Sequence, residues 1–103
     1  MALPTLTPEQ RATALVRARE ARQARSSLLA DITNGEVTVL AVLARGESDP
    51  VVGKTKVSQL VRAAPGYGLA RTSALLKQAG IPGDRRVAGL GSRQREALLS
   101  ALR

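Results

Sequence analysis

The sequence has no cysteine, no histidine, no phenylalanine and no tryptophan, and its one aromatic residue is Tyr67. Each absence closes a class of function. Without thiolate or imidazole there is no zinc site of the Cys/His kind, and no disulfide can form. Acid–base chemistry at neutral pH is left to Asp, Glu, Lys or Tyr with displaced pKa values. A single aromatic side chain excludes the rows of stacking platforms that grip single-stranded nucleic acid. The core must be aliphatic, drawn from the 44% of residues that are hydrophobic. No apolar run approaches the roughly 20 residues of a membrane span. The opening Met1-Ala2-Leu3-Pro4 lacks the charged and apolar regions of a secretion signal. These readings give the expectation of a soluble, cytoplasmic protein with no membrane, metal or cofactor.

What the chain does have is positive charge, unevenly placed. Lys and Arg number 16 against 8 Asp and Glu, a net charge of +8 over 103 residues. Residues 1–52 carry six of each sign, whereas residues 53–95 carry nine cations against Asp84 alone. An asymmetry of this kind points to a polyanionic partner bound by one part of the chain.

The pattern of caps and apolar residues predicts an all-α protein. Thr7-Pro8-Glu9-Gln10 is a helix start, with Thr7 as cap, Pro8 at the first helical position and Gln10 completing a capping box. The following Ala-, Leu-, Arg- and Glu-rich run extends to Asn34-Gly35. Its large apolar residues, Leu28, Leu29 and Ile32, come last, so only that end is expected to dock. Arg11, Arg22 and Arg25 fall within about 60° of each other at helical spacing. They form either a solvated face or a second nucleic-acid contact.

Short helices are expected after Thr38 and after Asp49-Pro50. Another carries Val57, Leu60, Val61 and Ala64. The next carries Leu69, Thr72, Leu75, Leu76 and Ala79 on its buried side, closed by Gly80 with Ile81 as apolar clamp. Ser92 is the expected cap of a last helix whose Ala97, Leu98, Ala101 and Leu102 face the core. The chain therefore divides into an arm and long helix, residues 1–35, and a helical core, residues 36–103.

Three constellations carry chemistry. Pro65-Gly66-Tyr67-Gly68 joins two helices; Gly66 and Gly68 permit positive φ and close backbone approach, with N–H groups turned out at the next helix start. A helix N-terminus has unpaired donors and partial positive charge, so a phosphate oxygen fits there, with Arg71 one turn in. Gly53-Lys54-Thr55-Lys56 puts two ammonium groups and a hydroxyl at a helix start. Arg85-Arg86 sits in a turn, and Arg93 with Arg95 opens the last helix, where cations oppose the helix dipole and an external anion would relieve them. No paired acids stand near the hairpin, and no enzyme is expected.

Gly53-Lys54-Thr55-Lys56-Val57-Ser58, Pro65-Gly66-Tyr67-Gly68 and Arg85-Arg86-Val87-Ala88-Gly89-Leu90-Gly91 with Arg93-Gln94, together with the N-terminal Leu6-Thr7 and Glu9-Gln10-Arg11, resemble the actinobacterial integration host factor family over essentially the whole chain. The core also resembles the helix–two-turns–helix unit of formamidopyrimidine-type DNA glycosylases and of a small-subunit ribosomal protein. The resemblance implies a monomeric, nucleoid-associated protein that binds and bends double-stranded DNA with little sequence preference, supports site-specific recombination with a phage-type integrase, and helps organise the chromosome. It places phosphate contacts on Lys54, Lys56, Gly66, Gly68, Arg71, Arg85 and Arg86; Arg93 joins them by its position. The chain departs from the family pattern at Leu69 and Ala88, where basic residues are usual, and at Thr55, where a hydrophobic one is. The residues alone leave an RNA- or ribosome-binding role open beside DNA.

Overall fold

The computed structural model describes residues 5–103; Met1–Pro4 of the expected arm lie outside the described residues. Six α-helices follow one another: α1 (Pro8–Thr33), α2 (Val39–Ala44), α3 (Pro50–Lys54), α4 (Val57–Ala63), α5 (Leu69–Gln78) and α6 (Ser92–Leu102), with a 3₁₀ turn at Val87–Gly89 before α6. The described residues contain no strand, and extended backbone pairs at one isolated antiparallel bridge, Lys56 to Arg86.

Local chemistry sets most of these boundaries. The Gln10 N–H donates to Thr7 Oγ1 at 3.1 Å while the Thr7 N–H donates to Gln10 Oε1 at 2.9 Å, so the capping box that opens α1 is complete. At its other end Gly35 adopts φ +77°, and the N–H groups of Gly35 and Glu36 donate to the carbonyls of Ile32 and Asp31. This is a Schellman stop, repeated at α5, where Gly80 has φ +71° and Ile81 N–H reaches Leu76 O at 2.9 Å. Thr38 and Asp49 cap α2 and α3 through their side chains.

The core is aliphatic, as the composition requires. Ile32, Leu43, Leu60 and Leu98 are its largest fully buried side chains, joined by Val42, Val52, Val57, Val61 and Val87. Burial of each such side chain contributes about 1.5–3 kcal/mol. From α1 only Leu28 and Ile32 are buried, with Leu29 packed against the cluster. Residues 5–24 are exposed throughout. Helix α1 therefore projects from the core, which accounts for a radius of gyration of 15.9 Å against the roughly 13 Å of a compact 100-residue domain.

Two expectations about facing and one about a cap are corrected. Leu69 is 64% exposed: it shares the face of Thr72 and Leu76, but at the first turn of α5 nothing closes over it. Ala97 and Ala101 are exposed in the furrow between α5 and α6, while Leu98, Leu99 and Leu102 make the core contact. Gly91, not Ser92, is the N-cap of α6, because Gln94 reaches back one residue further, its Oε1 accepting from Gly91 N–H at 3.0 Å.

The uneven burial along α1 makes a prediction. Ile32→Ala should lower the unfolding free energy by about 2–5 kcal/mol. A chain lacking residues 1–20 should melt within about 2–4 °C of the full chain, since the deleted turns bury nothing. Thermal denaturation followed by circular dichroism measures both, and a truncation as harmful as Ile32→Ala would contradict this account of the core.

Candidate nucleic-acid interface

The hairpin between α4 and α5 is built by its glycines in two different ways. Gly66 lies at φ +86°, a left-handed conformation that strains any residue with a Cβ. Gly68 does not share it: its φ is −82° and ψ −176°, extended backbone open to any residue, so positive φ is not its reason for being glycine. A Cβ added there would meet nothing within 4 Å. Gly68 is the N-cap of α5 and offers no side chain to cap it. The N–H groups of Gly68, Leu69, Ala70 and Arg71 at this helix start have no intrahelical acceptor. They face outward with the positive end of the helix dipole behind them.

Arg71 closes back over this turn. Its Nη1 donates to Gly66 O at 3.2 Å, and its guanidinium carbon lies 4.3 Å from the centre of the Tyr67 ring. Tyr67 is half-buried against the core, and its N–H donates to Ala64 O at 3.1 Å.

The second turn, residues 82–91, is stitched to α3 and α4. Val57 N–H donates to Arg85 O and Val87 N–H to Thr55 O, each at 3.0 Å. Ser58 Oγ donates to Gly83 O at 3.1 Å. The arginines join in: Arg86 Nη1 donates to Lys54 O at 2.9 Å, and the half-buried Arg85 donates to Gly89 O at 2.9 Å. Gln94 is a hub, receiving Arg85 and Gly91 on Oε1 and donating to Gly80 O at 2.8 Å.

Of the Lys54-Thr55-Lys56 stretch, expected at a helix start, only Lys56 stands at one, as the N-cap of α4. Lys54 ends α3, Thr55 is its C-cap and Lys56 precedes α4. The Thr55 hydroxyl is fully buried and donates to Val51 O at 2.7 Å, so it offers nothing outward. Lys54 and Lys56 remain exposed beside the bridge to Arg86. Arg93 is exposed at the start of α6. Arg95 is answered from inside: its Nη1 donates to Leu43 O, 3.2 Å away, near the end of α2.

Between the two turns runs an open groove of about 520 Å³ along α4 and α5. Arg62 and Lys77 stand on its walls, above Leu76 and Ile81, with Leu69 at the hairpin end and Gly83 at the other. The reading of the sequence missed these two cations. Each sits singly in its helix, and only the packing of α4 on α5 brings them to one channel. The glycines, Lys54, Lys56 and Arg86 thus lie on two turns joined by a cationic groove. Among the described residues no cluster of acids has the makeup of a metal site, and no helix is long and apolar enough to cross a membrane.

Known proteins are similar to this chain in sequence and in fold. Residues 32–102 match the S13-like H2TH domain. The chain is 46% identical over 99 residues to the integration host factor of Mycobacterium tuberculosis, covering 96% of this chain and 94% of that one. The Mycolicibacterium smegmatis integration host factor matches to the same extent. That of Streptomyces coelicolor is 43% identical over 94 residues, covering 91% of this chain and 88% of the relative. A solved structure of sIHF bound to an 8-bp palindromic DNA superposes with a TM-score of 0.79 at 32% identity, covering 84% of this chain and 98% of that one.

The two hairpin glycines should respond differently to a methyl group. Gly66→Ala should destabilise the chain by about 1–2 kcal/mol through its left-handed φ. Gly68→Ala, with open space and an ordinary backbone, should stay within about 0.5 kcal/mol of the parent. Urea denaturation measures both; equal losses would contradict the hairpin geometry described here.

Proposed function

This chain belongs to the integration host factor family and carries an S13-like H2TH domain, and from that premise we propose that it binds double-stranded DNA through the phosphate backbone, bends it, and acts as a monomer in organising the chromosome and supporting site-specific recombination beside a phage-type integrase. The observation that carries the reading is the start of α5. A ten-residue helix opens on a glycine that neither backbone strain nor crowding requires, and no side chain caps it. A residue without a Cβ leaves room for a phosphate oxygen to approach the first-turn N–H groups.

The exposed cations extend that contact. Lys54, Lys56, Arg86 and Arg93 surround the second turn, and Arg62 and Lys77 line the groove between. Phosphates neutralised at two separated turns release counterions, and contact along one side of the duplex favours curvature toward the protein. Nothing in this set reads a base edge, so sequence preference is weak. DNA, rather than RNA, is supported by the likeness to the DNA-bound sIHF structure.

The test is a salt titration on unrelated DNA duplexes and on an RNA duplex of equal length. The expected result is similar affinity for every DNA, weaker binding to RNA, and a falling log–log salt dependence. Replacing Lys54 and Lys56 together by Ala should make that slope shallower by about 0.9 for each phosphate contact removed. No binding to any duplex in dilute buffer would end this reading, and preference for the RNA duplex would replace DNA with RNA.

A further inference from the structure

Arg71, expected to meet a phosphate, is exposed but also bonds inward, its Nη1 donating to Gly66 O. We propose that Arg71, with Tyr67, is a positioning residue: it fixes the hairpin so that the main-chain donors of Gly68, Leu69 and Ala70 meet a phosphate without rearrangement. This inference rests on the DNA-binding reading above and goes beyond it in assigning how the grip is made.

One peptide group of the hairpin is held at both ends. The unit joining Gly66 to Tyr67 has its carbonyl held by Arg71 Nη1 at 3.2 Å and its N–H held by Ala64 O at 3.1 Å. A planar peptide anchored at both ends cannot rotate. Beyond it, the direction of the Gly68 N–H depends on the two dihedrals of Tyr67. The Tyr67 ring is packed against the core on one side and carries the Arg71 guanidinium, 4.3 Å from its centre, on the other. Both neighbours of Tyr67 are glycines, residues that give the turn the most freedom to lose. Without the brace, a glycine–tyrosine–glycine hairpin samples many orientations, and binding must select one of them.

Chemistry favours arginine for this task. A flat guanidinium can lie on a ring and donate in plane to a carbonyl at once, whereas an ammonium is a point charge that does not stack flat. Tyr67 is also the chain's one aromatic residue, and it stands where such a partner is required. Among the cations of residues 53–95, Arg71 is thus set apart from Lys54, Lys56, Arg62 and Lys77, whose side chains make no hydrogen bond among the described residues.

The experiment compares charge-preserving variants. Duplex affinity and its salt slope are measured for the full chain, Arg71→Lys, Tyr67→Leu, the double variant and Tyr67→Phe, at a temperature where circular dichroism finds each folded. The expected result is a loss of about five- to tenfold for Arg71→Lys, the equivalent of one cation–π contact, with the slope unchanged because no charge is removed. Tyr67→Leu loses a similar factor, Tyr67→Phe keeps the parent affinity, and the double variant is no weaker than the poorer single one. Should Tyr67→Leu fail to fold, Arg71→Lys decides alone. Parent-like binding by Arg71→Lys overturns the brace and leaves DNA binding standing. Absence of binding by the parent itself removes both.

Discussion

A helix that begins on glycine keeps its first-turn N–H groups for something outside itself. The contrast within this chain is direct. Helices α1, α2 and α3 begin on Thr7, Thr38 and Asp49, and each of those side chains turns in to accept a backbone N–H. Helix α6 also begins on glycine, but Gln94 folds back over its start. Helix α5, at Gly68, has neither device. Unpaired donors are tolerable where water reaches them, and they become an anion site when a charged oxygen replaces that water. Helix α4, on Lys56, also lacks a side-chain cap, but Arg85 O accepts the N–H of its first residue, Val57; the hairpin and the groove meet at the start of α5, where no such acceptor is present among the described residues.

An aliphatic core of this size does not by itself hold two surface turns in register. Leu, Val and Ile bury area without direction, whereas a hydrogen bond from a charged donor fixes both distance and angle. Arg71 holds the first turn, and Arg85, Arg86 and Gln94 hold the second, each by a bond to a main-chain carbonyl. Arg95 ties α6 to the end of α2 in the same manner. The basic stretch thus contains two populations. Some arginines are built into the scaffold, Arg86 while still exposed, and the lysines and remaining arginines are left to meet solvent or a polyanion.

The division between legible and hidden features follows the range of the interactions. Thr7-Pro8 with Gln10, Thr38, Asp49-Pro50, Gly35 and Gly80-Ile81 act within a few residues, and each set the boundary read from it. The hairpin was legible as a hairpin, although Gly68 carries no positive φ. The bonds of Arg86 to Lys54 and of Arg95 to Leu43 span 32 and 52 residues, and no local pattern announces them. Leu69 misled for the same reason: period predicts a face, but only tertiary packing decides whether anything covers it. Arg62 and Lys77 became a pair only once α4 had been laid on α5.

The proposed grip on the duplex is made by main-chain N–H groups at the start of α5. The most direct measurement is a titration of ¹⁵N-labelled protein with a short DNA duplex, following each backbone amide. The account predicts that the amides of Gly68, Leu69 and Ala70 move furthest, in the direction of new hydrogen bonds, and become protected from exchange. Amides that stay still at those three positions while the duplex binds elsewhere on the chain would contradict it.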